Sequence, residues 1–138
     1  MAESAAKTLS ERQRAFLAEP YVGVVTTLRE DGSPHSTVVW VDVDEGGVVS
    51  FNTAYGRRKP RNLERDPRLS LTVVDPSDPY RWISIDGKAE LTTEGADAQI
   101  DRLAKKYLGK DEYPWRSPEE RRVTVRVRPE RISSYGLE

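Results

Sequence analysis

Apolar and polar residues alternate along most of this chain in short runs of period two, interrupted by stretches with helical spacing. Ser10-Glu11-Arg12-Gln13 has the form of a capping box and predicts a short helix through Phe16 and Leu17, ending before Pro20. Residues 1–9 ahead of it read as a flexible arm. Residues 21–28 (YVGVVTTL) predict a largely buried strand, and Asp31-Gly32 centres the turn that follows. Residues 35–44 (HSTVVWVDVD) predict a second strand, with Thr37, Val39, Val41 and Val43 on one face and Val38, Trp40 and Asp42 on the other. Gly46-Gly47 turns the chain into a third strand, 48–53, which Ala54-Tyr55-Gly56 breaks. Arg57, Arg58 and Lys59 then lead to Pro60, read as the first residue of a helix of one or two turns that Asp66-Pro67 stops.

Residues 68–74 predict a fourth strand and 75–79 a tight loop. A long fifth strand spans 80–92, with Gly87 as a bulge or kink. Between 94 and 108, Ala96, Ile100, Leu103 and Tyr107 recur at helical spacing. A loop over 109–118 holds Tyr113, Pro114 and Trp115. Val123, Val125 and Val127 alternate with Thr124, Arg126 and Arg128 in a sixth strand, which 131–135 extends past a bend at Pro129. The early connections are too short for parallel crossovers. Strands joined by hairpins, with one substantial helix late in the chain, predict a mainly β (α+β) antiparallel barrel of six strands with peripheral helices.

Length and charge narrow the picture further. The 138 residues fit one domain, and 33% of them are charged, with a formal net charge of −1. That balance gives no global field toward nucleic acid or a membrane surface. The absence of cysteine excludes disulfides, iron–sulfur clusters, thiolate zinc sites and cysteine nucleophiles. No apolar run approaches the roughly 18 residues of a membrane span. The stretch MAESAAKTLSERQ lacks the apolar core of a signal peptide, so a cytoplasmic location is expected.

His35 is the sole histidine, which removes histidine-cluster metal sites, and no metal is expected. No G-x-S-x-G elbow, P-loop or G-x-G-x-x-G sequence occurs. Asp42 and Asp44 read as a solvated strand end rather than an acid/base pair. What remains is a cation cluster where a helix N-terminus would present free N–H groups, beside valine-rich strands. Such a protein can still be an enzyme when a cofactor carries the chemistry. Arg57 and Lys59 would hold a phosphate, and Asn62 would either bond it or lock the loop. The backbones of Thr37 to Trp40 and Phe51 to Ala54, if adjacent, would meet the edge of a flat heterocycle. On the RRK run alone, a solvated loop is the favoured reading.

The order Thr53, Arg57, Lys59, Asn62, Leu63, Asp66-Pro67-Arg68 resembles the pyridoxamine 5'-phosphate oxidase-like flavin split-barrel superfamily. The likeness extends through 16–35, 82–92 and 122–136, and within the superfamily the sequence is most similar to a small actinobacterial branch that uses the deazaflavin coenzyme F420. The resemblance implies a six-stranded split-barrel homodimer with two cofactors in grooves between subunits. Arg57 and Lys59 would bind the phosphate with Asn62 in support. Thr37, Val38, Val39, Trp40, Phe51, Asn52, Thr53 and Ala54 would line the ring and ribityl chain. Tyr80 and Trp82 would come from the partner subunit. Arg58 and Arg61 are spare cations for the oligoglutamate tail that distinguishes F420 from the alternative, flavin mononucleotide (FMN). The sequence has no counterpart of the C-terminal extension of true pyridoxamine phosphate oxidases, so that activity is not expected. The implied reaction is hydride transfer from reduced F420 to a small electron-poor acceptor: an activated C=C, a quinone or a biliverdin-like molecule. No catalytic side chain is assigned; His35, Tyr80 and water are all open as proton donor. A cofactor or haem carrier without turnover is the other reading.

Overall fold

In the computed structural model, which describes residues 2–4 and 8–138, the chain runs β1 (Ala2–Ser4), α1 (Glu11–Ala18), β2 (Gly23–Leu28), β3 (Pro34–Val39), β4 (Val41–Val43), β5 (Val49–Ala54), α2 (Arg58–Arg65), β6 (Arg68–Asp75), β7 (Asp78–Thr92), α3 (Ala96–Leu108) and β8 (Arg122–Tyr135). Of the expected arm, residues 1 and 5–7 lie outside the described residues; β1 pairs with β8. The capping box is present in full: Gln13 N–H donates to Ser10 Oγ at 3.1 Å, and Ser10 N–H donates to Gln13 Oε1 at 2.9 Å. No described helix is long and apolar enough to cross a membrane.

All strand pairs are antiparallel, in the order β3-β2-β6-β7-β8-β5-β4. The two ends of that path, β3 and β4, are joined through Trp40, so the sheet curls back on itself. Counted as one strand bent at Trp40, they complete the six-stranded split barrel that the sequence predicts. Inward residues of β2 to β8, among them Val25, Val39, Phe51, Leu71, Ile83 and Val125, fill its interior.

The break at Trp40 corrects the single strand expected over 35–44. Val39 pairs with Gly23 on β2, whereas Val41 pairs with Phe51 on β5, so the segment changes partners within two residues. The alternation of faces survives the break: Val39 and Val41 are buried and Val38 is exposed. Backbone groups freed at the switch need other partners. Val41 N–H donates to Tyr107 Oη at 2.9 Å, and Lys106 Nζ donates to the Val41 carbonyl at 2.6 Å. Tyr107 donates in turn to the Tyr21 carbonyl at 2.7 Å, and its ring stacks on Trp40 at 5.4 Å. Burial pushes the Tyr107 phenol up to about 12, and it pulls the Lys106 ammonium down to about 8 against the opposing field of Asp42 and Glu19.

Two further local differences have simple causes. The helix after β5 starts at Arg58 rather than Pro60, so proline occupies the third helical position, still within the turn whose N–H groups have no helical acceptor. The register between β7 and β8 shifts where expected, at Gly87, but the extra residue is on β8: Asp86 faces Arg131, Gly87 faces Pro129, and Glu130 is inserted. A Cβ at position 87 would lie 2.1 Å from the Arg128 carbonyl oxygen, a backbone atom that cannot swing away. Gly87→Ala is therefore expected to destabilise the fold by about 1–3 kcal/mol, read as a lower urea midpoint at unchanged slope. An unchanged midpoint would show that the strands separate there freely.

Candidate functional site

The ladder between β4 and β5 ends at Val41 and Phe51. Beyond that point β3 is paired on one side only, with β2, and β5 on one side only, with β8. The backbones of residues 37–40 and 52–54 thus face each other across a slit, each with one unpaired edge. The sequence reading asked for neighbours in the sheet; the two segments do not pair there. A cleft of about 210 Å³ opens at the slit, lined by Val38, Val39, Trp40, Asn52, Arg57 and Lys59.

The cations reach the slit because α2 follows β5 after a tight turn at Gly56. Arg57 is the N-cap, and Arg58 and Lys59 are the first two helical residues, with no side chain capping their N–H groups. The helix is anchored from below by Leu63 in the core and by Asn62, which is 1% exposed. Asn62 Nδ2 donates to Thr27 Oγ1 at 2.9 Å, and its Oδ1 accepts from Arg65 at 3.3 Å. Of the two roles open to Asn62, the geometry matches the lock.

The three cations differ. Arg57 is bridged to Glu120 at 2.8 Å. Arg58 is exposed. Lys59 is partly buried and has no acidic partner among the described residues. Burial first, and then Arg57, holds its ammonium below the usual lysine range. A cation in that condition is stabilised by any anion that enters.

Below these cations, three buried polar atoms have no hydrogen-bond partner among the described residues: His35 Nδ1, Thr37 Oγ1 and Thr53 Oγ1. Thr53 is fully buried. His35 and Thr37 alternate with exposed Pro34, Ser36 and Val38, so both point inward from β3. Most buried hydroxyl and imidazole groups are bonded, and these orphans come from the two strands that flank the slit, His35 and Thr37 from β3 and Thr53 from β5.

Not every expected ring-lining side chain faces the slit. Phe51 and Ala54 are buried, and Phe51 and Val39 belong to the barrel core, so these positions offer backbone rather than side chain. Tyr80 and Trp82 are on β7, with Trp82 opposite Val74 on one side and Tyr135 on the other, away from this cleft.

The structure adds residues that the sequence reading did not single out. Ile100 and Leu103 of α3 floor the cleft, and Tyr113, Trp115 and Arg122 form its far wall. The Tyr113 ring meets Trp40 and Trp115 edge-on at 6.1 and 5.6 Å. Its loop is fastened to α3 by Asp101, which accepts from Tyr113 N–H at 2.9 Å and from Arg116 at 2.6 Å; these bonds hold the Asp101 carboxyl below its usual range. Arg122 is 7% exposed, lies 4.7 Å over the Tyr113 ring and pairs with Glu120. Asn52, which Arg122 approaches, donates to the Ala96 carbonyl at 2.8 Å and to Gln99 Oε1 at 3.0 Å, fixing α3 against β5. Two large aromatics in a polar loop were the available signal for Tyr113 and Trp115. Arg122 had none, because its place depends on pairing with Ala54.

Against known proteins, the chain is 32% identical over 128 residues, 90% of its length and 86% of the other, to an F420H(2)-dependent biliverdin reductase of Mycobacterium tuberculosis. It is 39% identical over 85 residues to a pyridoxine/pyridoxamine 5'-phosphate oxidase of Rubrobacter xylanophilus, of whose length that match spans only 38%. A solved structure titled F420 reductase superposes with a TM-score of 0.77 at 30% identity, covering 91% of this chain and 98% of that one. With residues 9–136 matching its family description, the chain belongs to the pyridoxamine 5'-phosphate oxidase family.

Proposed function

We propose that this protein is an F420-dependent oxidoreductase that reduces a small, electron-poor conjugated acceptor. The observation that carries the reading is the partly buried Lys59, without an acidic partner among the described residues, at the mouth of a slit with three unpartnered buried polar atoms. That donor set fits an anionic phosphate. The facing backbone edges of 37–40 and 52–54 fit the polar rim of a flat ring, and Trp40 with Tyr113 supplies aromatic surface. The likeness to two proteins whose names carry F420 favours the deazaflavin over FMN.

When bound in its reduced form, F420 supplies a hydride to the acceptor. The chain's own residues bind, orient and desolvate. Lys59 and Arg57 hold the phosphate, Asn62 keeps α2 in place beneath them, and Arg58 and Arg61 are available to the anionic tail. Val38, Ile100 and Leu103 give the site an apolar lining. A quinone, an activated C=C or a biliverdin-like tetrapyrrole meets the requirement of a flat, conjugated acceptor held within about 3–3.5 Å of the donor.

A cleft of about 210 Å³ is smaller than the roughly 300–1,000 Å³ of pockets that bury a drug-sized ligand. We therefore place the working site in a homodimer, with the partner subunit's Tyr80 and Trp82 closing it. The test is titration with F420 and with FMN, followed by the fluorescence of Trp40 and Trp115, then oxidation of reduced F420 by each acceptor class. Micromolar F420 binding with acceptor-dependent oxidation is expected. Tight FMN binding with none for F420 would replace the cofactor, and binding without any oxidation would leave a carrier.

A further inference from the structure

We propose that His35 belongs to the phosphate cradle and takes up a proton when the anion binds, so that cofactor affinity rises as pH falls. This rests on the phosphate site proposed above and deepens it. The placement follows from three pieces of geometry. His35 lies directly opposite Thr27 in the β2–β3 ladder. Thr27 Oγ1 accepts the bond from Asn62 of α2 at 2.9 Å. Lys59 is one helical turn before Asn62, on the same face of α2. The imidazole thus lies under the first turn of the helix that carries the cations, with Nδ1 buried and unpartnered.

The charges that face His35 come from two directions. Arg29 acts from the turn after β2, and Lys59 and Arg58 act from α2. With burial as the larger cause, these cations hold the imidazole below its ordinary value, so the free protein carries it neutral near pH 7. A phosphate anion between Lys59 and His35 reverses the sign of the local field. It favours imidazolium, in which both ring nitrogens donate and Nδ1 carries a proton whichever tautomer the neutral ring held. Thermodynamic linkage fixes the consequence: if binding raises the titration midpoint by one unit, the protonated protein binds about tenfold more tightly. The bridging phosphate of F420 is a diester with one fixed charge, so no proton of its own titrates in this range.

Because the chain has a single histidine, one imidazole Hε1 resonance reports the site without assignment ambiguity. The experiment is an NMR pH titration of that resonance, free and saturated with F420, together with F420 affinities at about pH 8 and 5.5, either side of the ordinary histidine value. A midpoint raised by about one unit or more on binding, with affinity at least about fivefold higher at the lower pH, is expected. His35→Gln should abolish the pH dependence, and His35→Lys should bind equally at both pH values. Binding of F420 with an unmoved midpoint would overturn the role of His35 and leave the phosphate site standing. No F420 binding at either pH would overturn both.

Discussion

Lys59→Ala is expected to weaken F420 binding by about 10–100-fold while leaving the unliganded protein as stable as before, or slightly more so. The two halves of that expectation have one cause. In the free protein the Lys59 ammonium is partly desolvated, beside Arg57 and without an acidic partner among the described residues, which is why its charged form is disfavoured. Removing it costs the fold nothing electrostatic. In the complex, the same ammonium makes a charge-assisted bond to phosphate, worth about 1.5–3 kcal/mol. Arg57→Ala should cost less, because Glu120 already neutralises that guanidinium at 2.8 Å and the cofactor must compete for it. Glu120→Gln should accordingly tighten binding, and Arg58→Ala should matter more as the oligoglutamate tail lengthens. Calorimetric titration beside thermal melts checks the set. A Lys59→Ala protein that binds normally would leave the cation corner a solvated loop.

The barrel was legible in the sequence because its strands carry strict alternation and its turns carry Asp-Gly, Gly-Gly and proline signals. The cation corner was legible because its residues are contiguous: strand end, three cations and helix lie within 53–65. The rest of the site depends on partners far apart in sequence. Trp40 looks like one more strand residue until β3 and β4 are seen to pair with different neighbours. Asn62 could not be assigned between phosphate and lock without Thr27, 35 residues away. His35 read as the first residue of a strand, since nothing local reveals that the cations of α2 act on it. Tyr113, Trp115 and Arg122 enter only through the docking of α3 and the register of β5 with β8. Local patterns carried the elements; non-local pairing carried the walls of the cleft.

That dependence on assembly gives the second large effect. Val24→Glu, outside the cleft, is expected to convert a dimer to a monomer and to lower F420 affinity by more than about tenfold. Val24 is on the outer face of β2, opposite Val38 in the β2–β3 ladder. The same face of the barrel carries Val22, Val74, Trp82 and Tyr135, with Val38 64% and Tyr80 71% exposed. We propose that this exposed apolar face is the dimer interface, and Val38 belongs both to it and to the lining of the cleft. A second copy seated there would therefore border the slit. In a two-fold arrangement one substitution places two carboxylates in the contact, each losing hydration with no cation supplied. In the monomer a glutamate at position 24 remains in water and the fold is unaffected. Sedimentation velocity with circular dichroism reads the first part and F420 titration the second. A Val24→Glu protein that stays dimeric would move the interface to another face, and a folded monomer with undiminished affinity would mean that one chain is a complete site.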